Sequence, residues 1–117
     1  MYWLIILGIL VVDQVTKHFF TSTVNTGAAF GLFQGYNWIF IAVSLVALIV
    51  CILYYKKHLL GFSLLIGGIM GNLIDRIFLG HVRDFINVQI WPVFNVADAA
   101  VVLGVVVLLY FFLRKDL

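Results

Sequence analysis

The chain has 117 residues, of which 65% are hydrophobic and only 10% are charged, whereas soluble domains average about 25% charged residues. This composition excludes an ordinary soluble domain, and the net charge of +2 is too small to indicate a nucleic-acid partner. A membrane-spanning helix needs roughly 20 apolar residues, and four such segments fit. We therefore expect an all-α membrane protein with four transmembrane helices in a single domain, residues 1–117.

The first apolar segment, at about 2–20, predicts a helix that carries an acid and a base. Asp13 and Lys17 lie four residues apart, so they share a helical face and could pair. A charge inside a membrane helix is costly unless it is paired, hydrated or near an interface. Alternatively, both residues mark the helix end, where Lys17 would extend to the membrane surface. Residues 21–31 follow, as a loop or a short strand.

The next two apolar segments differ in character. The second, at about 38–55, has no charge and lies between Trp38 and Tyr55, residue types that concentrate at membrane interfaces. The third, at about 59–79, contains four glycines, which permit close helix packing in lipid. Its last turns carry three polar residues that share one helical face: Asn72, Asp75 and Arg76.

A polar connection precedes the fourth apolar segment. It carries Asp84, followed by an alternating run at 85–90 that could form a short strand or an interfacial segment. Asn95 is a predicted N-cap for a helix at about 96–113. Asp98 then falls in the first turn of this helix, where an acid interacts favourably with the helix dipole.

The basic residues predict the orientation in the membrane. Four of them lie on one side of the predicted bundle, which the positive-inside rule makes cytoplasmic: Lys56, Lys57, Arg114 and Lys115. Both termini are then cytoplasmic. The opposite, outer face is expected to be short and could contain β-structure. Four acids separated in sequence are brought to that face: Asp13, Asp75, Asp84 and Asp98.

Two of these acids suit a specific chemistry. Two carboxylates held close together cannot both ionise easily, so they can share a proton, activate water and polarise a carbonyl group. Asp84 and Asp98 are the best-placed pair. Alternatives remain: Asp98 could serve only the helix dipole, Asp84 could be a solvated acid paired with Arg83, and Asp75 could pair with Arg76 or Arg83. No metal-ligand spacing occurs, so neither a metal nor another cofactor is expected.

Five motifs of the chain resemble those of the bacterial lipoprotein signal peptidases, also called signal peptidase II (aspartyl peptidase family A8). Each motif alone is a weak signal, but together, in family order and among four apolar segments, they are specific. They are DQVTK at 13–17, NTGAAFG at 25–31, GNLIDR at 71–76, VRDFI at 82–86 and FNVAD at 94–98.

The resemblance implies an intramembrane aspartyl endopeptidase of the bacterial plasma (inner) membrane. It would remove the signal peptide of a prolipoprotein just before a lipobox cysteine that bears a diacylglyceryl group. Asp84 and Asp98 match the catalytic aspartates. The implied substrate-binding residues are Asn25, Gly27, Asn95 and Ala97. The implied supporting residues are Asp13, Lys17, Asn72, Asp75 and Arg76. Prolipoprotein, membrane lipid and globomycin-type inhibitors are the expected partners of a monomeric enzyme without cofactor.

Two points qualify the resemblance. Asp75 lies in an equally strong motif and is an alternative partner for Asp98, but Asp84 is favoured because it lies beyond the helix on the aqueous side. The chain also looks like an unusually short member, since only seven residues separate Lys17 from Asn25. This shortening concerns the part of the family that clamps substrate, not the motif residues.

Two other classes of function compete with the peptidase. A small four-helix proton-coupled transporter could use Asp13 as its intramembrane proton site. Its expected polar residues would lie at the membrane midplane, whereas here they gather at one face. A non-catalytic membrane chaperone or assembly factor would need none of the motif residues.

Overall fold

The computed structural model describes residues 1–20, 23–27 and 33–114. Four α-helices form most of it: α1 (Trp3–Phe19), α2 (Asn37–Leu53), α3 (Leu59–Leu79) and α4 (Val96–Leu113). A 3₁₀ turn at Tyr55–Lys57 joins α2 to α3, and two short strands complete the fold: β1 (Thr23–Asn25) and β2 (Val82–Asp84). Residues 21–22, most of the NTGAAFG motif (28–31) and Lys115 lie outside the described residues.

The helix α3 is central, because it contacts all three other helices. Its glycines explain how it can approach two of them closely. A Cβ atom at Gly68 would lie 2.5 Å from the carbonyl oxygen of Ala97 on α4, and one at Gly67 would lie 3.0 Å from Ile9 on α1. Ala97 itself is completely buried. Small residues thus let α1 and α4 pack closely against α3.

The molecule is apolar outside and polar inside, the reverse of a soluble protein. Buried polar side chains include Asp13, Lys17, Asp75 and Asn95. The outward faces of α2 and α4 carry apolar side chains that are more than half exposed: Val43, Val46, Ile49, Ile52, Val102, Val106, Leu109 and Leu113. Such a surface fits lipid rather than water.

Two helices meet the length and hydropathy expected of a membrane span. These are α3, with a mean hydropathy of 1.5, and α4, with 2.6. The helices α1 and α2 have 17 residues each, roughly 26 Å at 1.5 Å per residue, slightly less than a hydrocarbon core of about 30 Å. That α1 and α2 also cross the membrane remains a prediction.

The polar end of the bundle contains β-structure. The strand β1 lies within residues 21–31, where the sequence allowed a short strand, whereas β2 precedes the alternating run at 85–90. The strands β1 and β2 pair antiparallel, with Thr23 opposite Asp84 and Asn25 opposite Val82. The alternating run at 85–90 is not a strand: Ile86 forms one isolated bridge to Phe94, and Gln89 has a positive φ of 73°. The chain therefore turns back at once, which brings Asp84 to the start of α4.

We expect Gly68→Ala to destabilise the protein, because the new methyl group would meet the backbone of α4. Overpacking of this kind costs about 1–3 kcal/mol, measurable as a lower midpoint of thermal unfolding in detergent. The matched control is Gly8→Ala on α1, where a Cβ atom would meet nothing within 4 Å. Equal unfolding midpoints for both variants would contradict close α3–α4 packing at Gly68.

Candidate active site

One asparagine joins the two aspartates that the sequence singled out. Asn95 precedes α4 and is completely buried. Its Nδ2 donates to Asp84 Oδ1 at 2.8 Å, and its Oδ1 accepts a hydrogen bond from the backbone N–H of Asp98 at 2.7 Å. Asp98 Oδ2 in turn accepts from the backbone N–H of Asn95 at 3.1 Å. This reciprocal capping box confirms the predicted N-cap and holds Asp98 beside Asp84.

A second asparagine, Asn72 on α3, contacts Asp98 and Asn95. Its Oδ1 accepts from Lys17 Nζ at 3.1 Å and from Asn95 Nδ2 at 3.0 Å. Because two donors surround Oδ1, the amide nitrogen is directed to Asp98, where it donates to Oδ1 at 2.8 Å. The two asparagines therefore fix the positions of both carboxylates without neutralising either.

Asp84 and Asp98 line a cavity of about 340 Å³. Within the described part of the chain, its third charged lining residue is Arg76. Trp91 to Phe94 form another part of the wall, and apolar side chains from α2, α3 and α4 continue it toward the bundle interior, among them Phe40, Ile69 and Val101. The cavity thus combines two carboxylates and a cation with an apolar remainder.

Behind the cavity lies a cluster of two acids and two bases. Lys17 Nζ lies 2.7 Å from Asp13 Oδ2 and 3.2 Å from Asp75 Oδ2. Arg83 Nη2 lies 3.0 Å from Asp75 Oδ1. The predicted Asp13–Lys17 pair is confirmed, and the alternative in which Lys17 extends to the membrane surface is wrong, because Lys17 is 2% exposed. Formal charges within this cluster sum to zero.

This cluster also links helices distant in sequence. Asp13 Oδ1 accepts a hydrogen bond from the backbone N–H of Ala97 at 2.9 Å, so a carboxylate of α1 satisfies a free donor in the first turn of α4. Gln14 donates to Asp75 Oδ1 and to the carbonyl oxygen of Gly71, and accepts from Arg83. The network positions the start of α4, and with it Asp98.

Asp75 belongs to this cluster rather than to the cavity. It pairs with Arg83 and Lys17 and does not pair with Arg76, and it is absent from the cavity lining. The side-chain hydrogen bond to Asp75 raises the pKa of Arg83 above its ordinary value. Asp84 is 3% exposed, so the alternative of a solvated loop acid is wrong.

Arg76 is held by neutral groups. Its Nη2 donates to the carbonyl oxygen of Gly27 at 2.8 Å and its Nη1 to Asn37 Oδ1 at 3.2 Å. Asn37 Nδ2 donates back to the carbonyl oxygen of Arg76 at 3.1 Å. The guanidinium carbon lies 5.1 Å from the centre of the Phe40 ring, within the range of a cation–π contact. Arg76 thereby ties α3 to α2 and to the segment after β1.

The predicted site residues therefore gather at one end of the bundle. Gly27 and Ala97 are buried there. The backbone N–H of Ala97 donates a hydrogen bond to Asp13. The backbone of Asn25 pairs with Val82 in the sheet, while its side chain lies outside the described residues. Among the described residues, no cluster of histidine, cysteine and carboxylate side chains could hold a metal ion.

Three residues with evident roles were not predicted as site residues: Gln14, Arg83 and Asn37. Gln14 lies inside the DQVTK motif, so its place in that motif could have identified it as a site residue. Arg83 was considered only as a possible partner for an acid. Asn37 had one weak signal, a polar residue at the start of an apolar segment.

We expect Lys17→Met to lower the free energy of unfolding by about 3–5 kcal/mol, because Asp13 and Asp75 would lose their shared buried cation. The measurement is unfolding in detergent with increasing denaturant. Lys57→Met, which removes an exposed lysine from the turn between α2 and α3, should change stability little. A Lys17→Met protein as stable as wild type would show that the buried ion pairs contribute nothing.

Comparisons with known proteins show the family of the chain. The family model described as Signal peptidase (SPase) II matches residues 5–114. The lipoprotein signal peptidase of Halothermothrix orenii is 40% identical, over 82% of this chain and 70% of the relative. That of Caldicellulosiruptor bescii is 36% identical, over 97% of this chain and 91% of the relative. This second comparison runs over 137 residues, more than the chain contains, so the relative has segments that this chain lacks.

Two solved structures have a similar fold. A bacterial membrane enzyme solved by the in meso method at 2.3 Å has a TM-score of 0.91 and 29% identity, covering 97% of this chain and 88% of its own. A second bacterial membrane enzyme, solved by the same method at 1.9 Å, has a TM-score of 0.85 and 30% identity. The chain therefore belongs to the signal peptidase II family of membrane peptidases.

Proposed function

We propose that the protein is an intramembrane aspartyl endopeptidase that removes the signal peptide from diacylglyceryl-modified prolipoproteins, immediately before the lipidated cysteine. The observation that supports this most is the pair Asp84 and Asp98, joined through Asn95 in the wall of one cavity. The family membership supports a prolipoprotein as substrate, and the sequence contributes the two-aspartate chemistry.

The reaction needs one ionised and one protonated aspartate. The ionised carboxylate takes a proton from water while the water oxygen bonds to the scissile carbonyl carbon. The protonated carboxyl group gives its proton to the carbonyl oxygen, which forms a neutral gem-diol. When the carbon–nitrogen bond breaks, the nitrogen takes up the proton that came from water, and the re-formed carbonyl group returns the other. The products are a signal peptide with a free carboxyl group and a cysteine with a free amino group.

The surroundings of the pair suit a substrate that arrives from the membrane. The apolar part of the cavity, with Phe40, Ile69 and Val101, suits the hydrophobic chain of a signal peptide, and lipid surrounds the bundle. The proposed orientation places the cavity at the outer face and both termini in the cytoplasm. One chain carries both aspartates, so we propose a monomer, and we expect globomycin-type peptides to compete with substrate.

The transporter alternative has no comparable support. Asp13 is completely buried, and its two oxygens are occupied by Lys17 Nζ and the backbone N–H of Ala97. A proton site must release its proton to water on each side in turn, whereas this carboxylate holds a lysine and a helix terminus in place.

We expect Asp84→Asn and Asp98→Asn each to lower kcat by at least about 1,000-fold while the protein stays folded, because an amide can neither activate water nor share a proton. The assay is the gel shift of a purified diacylglyceryl-modified prolipoprotein. Asp116→Asn, the same substitution near the end of the chain, should cleave at the wild-type rate. Wild-type turnover by either cavity variant would refute the assignment of the pair.

The pH profile of the cleavage rate should be bell-shaped, because the pair must lose one proton and keep the other. The measurement is kcat/KM between about pH 4 and pH 9, with thermal unfolding at each pH as the control for stability. A rate that stays constant over this range, with bond cleavage as the slow step, would argue against proton sharing.

A further inference from the structure

The charges around the cavity separate into two groups. The four charged residues behind it, Asp13, Lys17, Asp75 and Arg83, are paired with one another. The three that line it within the described residues are Arg76, Asp84 and Asp98. If both aspartates were ionised, the lining would carry a net negative charge. With one proton on the pair, the lining is neutral.

Arg76 is suited to be the cation of this second group. It is 8% exposed, and its hydrogen-bond acceptors, Gly27 O and Asn37 Oδ1, are both neutral. Its charge is therefore not consumed by a contact ion pair among the described residues, and it lines the same cavity as Asp98 and Asp84. An uncompensated charge in an apolar interior is strongly unfavourable, so the neutral arrangement is the stable one.

We propose that Arg76 is the counter-charge that keeps the Asp84–Asp98 pair in its singly protonated form, and that Asn37 is the residue that positions it. This inference rests on the proposed function of the pair as a proton-sharing dyad. It gives Arg76 an electrostatic role in the reaction besides its hydrogen bond to Gly27. It also makes the first turn of α2 part of the site, although that turn carries no charge.

Asn37 and Phe40 fix the guanidinium group from two directions. They lie three residues apart and so share a face of α2. Asn37 contacts both the guanidinium group and the main chain of Arg76, and the Phe40 ring lies 5.1 Å from the guanidinium carbon. Arg76 cannot move away from the aspartates without breaking these contacts.

The other charged and titratable groups at this end of the bundle come from the remaining elements. They are Asp13 and Lys17 on α1, Asp75 on α3, Arg83 on β2 and His81 on the turn before β2. All of these stay unchanged in the variants below. A nearby positive charge favours the ionised form of a carboxyl group, so removing that of Arg76 must move both ionisations of the pair to higher pH.

The sequence offers a direct measurement of these ionisations. Its five acidic residues are all aspartates, so protein labelled with ¹³C at aspartate Cγ has five side-chain carboxyl signals. Asp84→Asn and Asp98→Asn assign two of them. Titration of these signals reports the protonation of the pair without any substrate, and the pH profile of kcat/KM reports it during cleavage.

Four variants separate charge from position. Arg76→Gln removes the charge and Asn37→Asp neutralises it in place, so both should move the titration of the pair upward by about one pH unit. Arg76→Lys and Asn37→Ala keep the charge but lose hydrogen bonds that position it, so both should shift the titration less than the first two variants do and should lower kcat/KM. Arg114→Gln, the same change at the exposed end of α4, should alter neither.

Unchanged titration of the pair in Arg76→Gln and Asn37→Asp would overturn the proposal. So would an equal shift in all four variants, since that result would indicate a structural role. If Arg76→Gln does not fold, Asn37→Asp still tests the charge. A wild-type protein that fails to cleave prolipoprotein, yet shows the expected shifts of its carboxyl signals, would refute the proposed function and leave the role of Arg76 standing.

Discussion

The contact on which the rest of the site depends is that of Lys17 Nζ with Asp13 and Asp75. An ammonium group buried among apolar helices is tolerated only when carboxylates and carbonyl oxygens surround it. Those partners come from α1 and α3, and Asp13 reaches on to the backbone of Ala97 in α4. The need to compensate one buried charge thereby fixes the relative positions of three helices. The position of Asp98, the residue after Ala97, depends on that arrangement.

Close backbone approach is the second requirement, and it serves the first. The side chain of Asp13 reaches α4 only because α3 leaves space between them: a Cβ atom at Gly71 would lie 2.6 Å from Asp13 Oδ2 and 3.0 Å from the Cβ of Ala97. The glycines of α3 therefore allow close packing, and Gly71 also leaves the space that the Asp13 carboxylate occupies. A bulkier helix would separate the acids from the donors that stabilise them.

Much of this architecture could be predicted from local patterns. Apolar runs predicted four helices, the i, i+4 spacing predicted the Asp13–Lys17 pair, and the position of Asn95 predicted a cap, since each of these depends on residues close in sequence. What the sequence could not supply was the path of the chain between helices. The sequence allowed Asp75 to pair with Arg76 or Arg83, and the choice of Arg83 depends on β2 running back beside α3. The strand β2 itself begins three residues before the alternating run. Asn37 became relevant only once α2 and α3 were placed side by side.

The hydrogen bond between Asp13 and the backbone of Ala97 has a consequence for biosynthesis. It joins α1, which the ribosome makes first, to the start of α4, which follows after α2 and α3. Until α4 forms and packs against α3, Asp98 is missing from the site, Asn95 cannot form its cap, and the carboxylate of Asp13 lacks one of its donors. A nascent chain that holds only three helices consequently carries half of the aspartate pair and no competent cavity. The site is therefore complete only when α4 packs against α3.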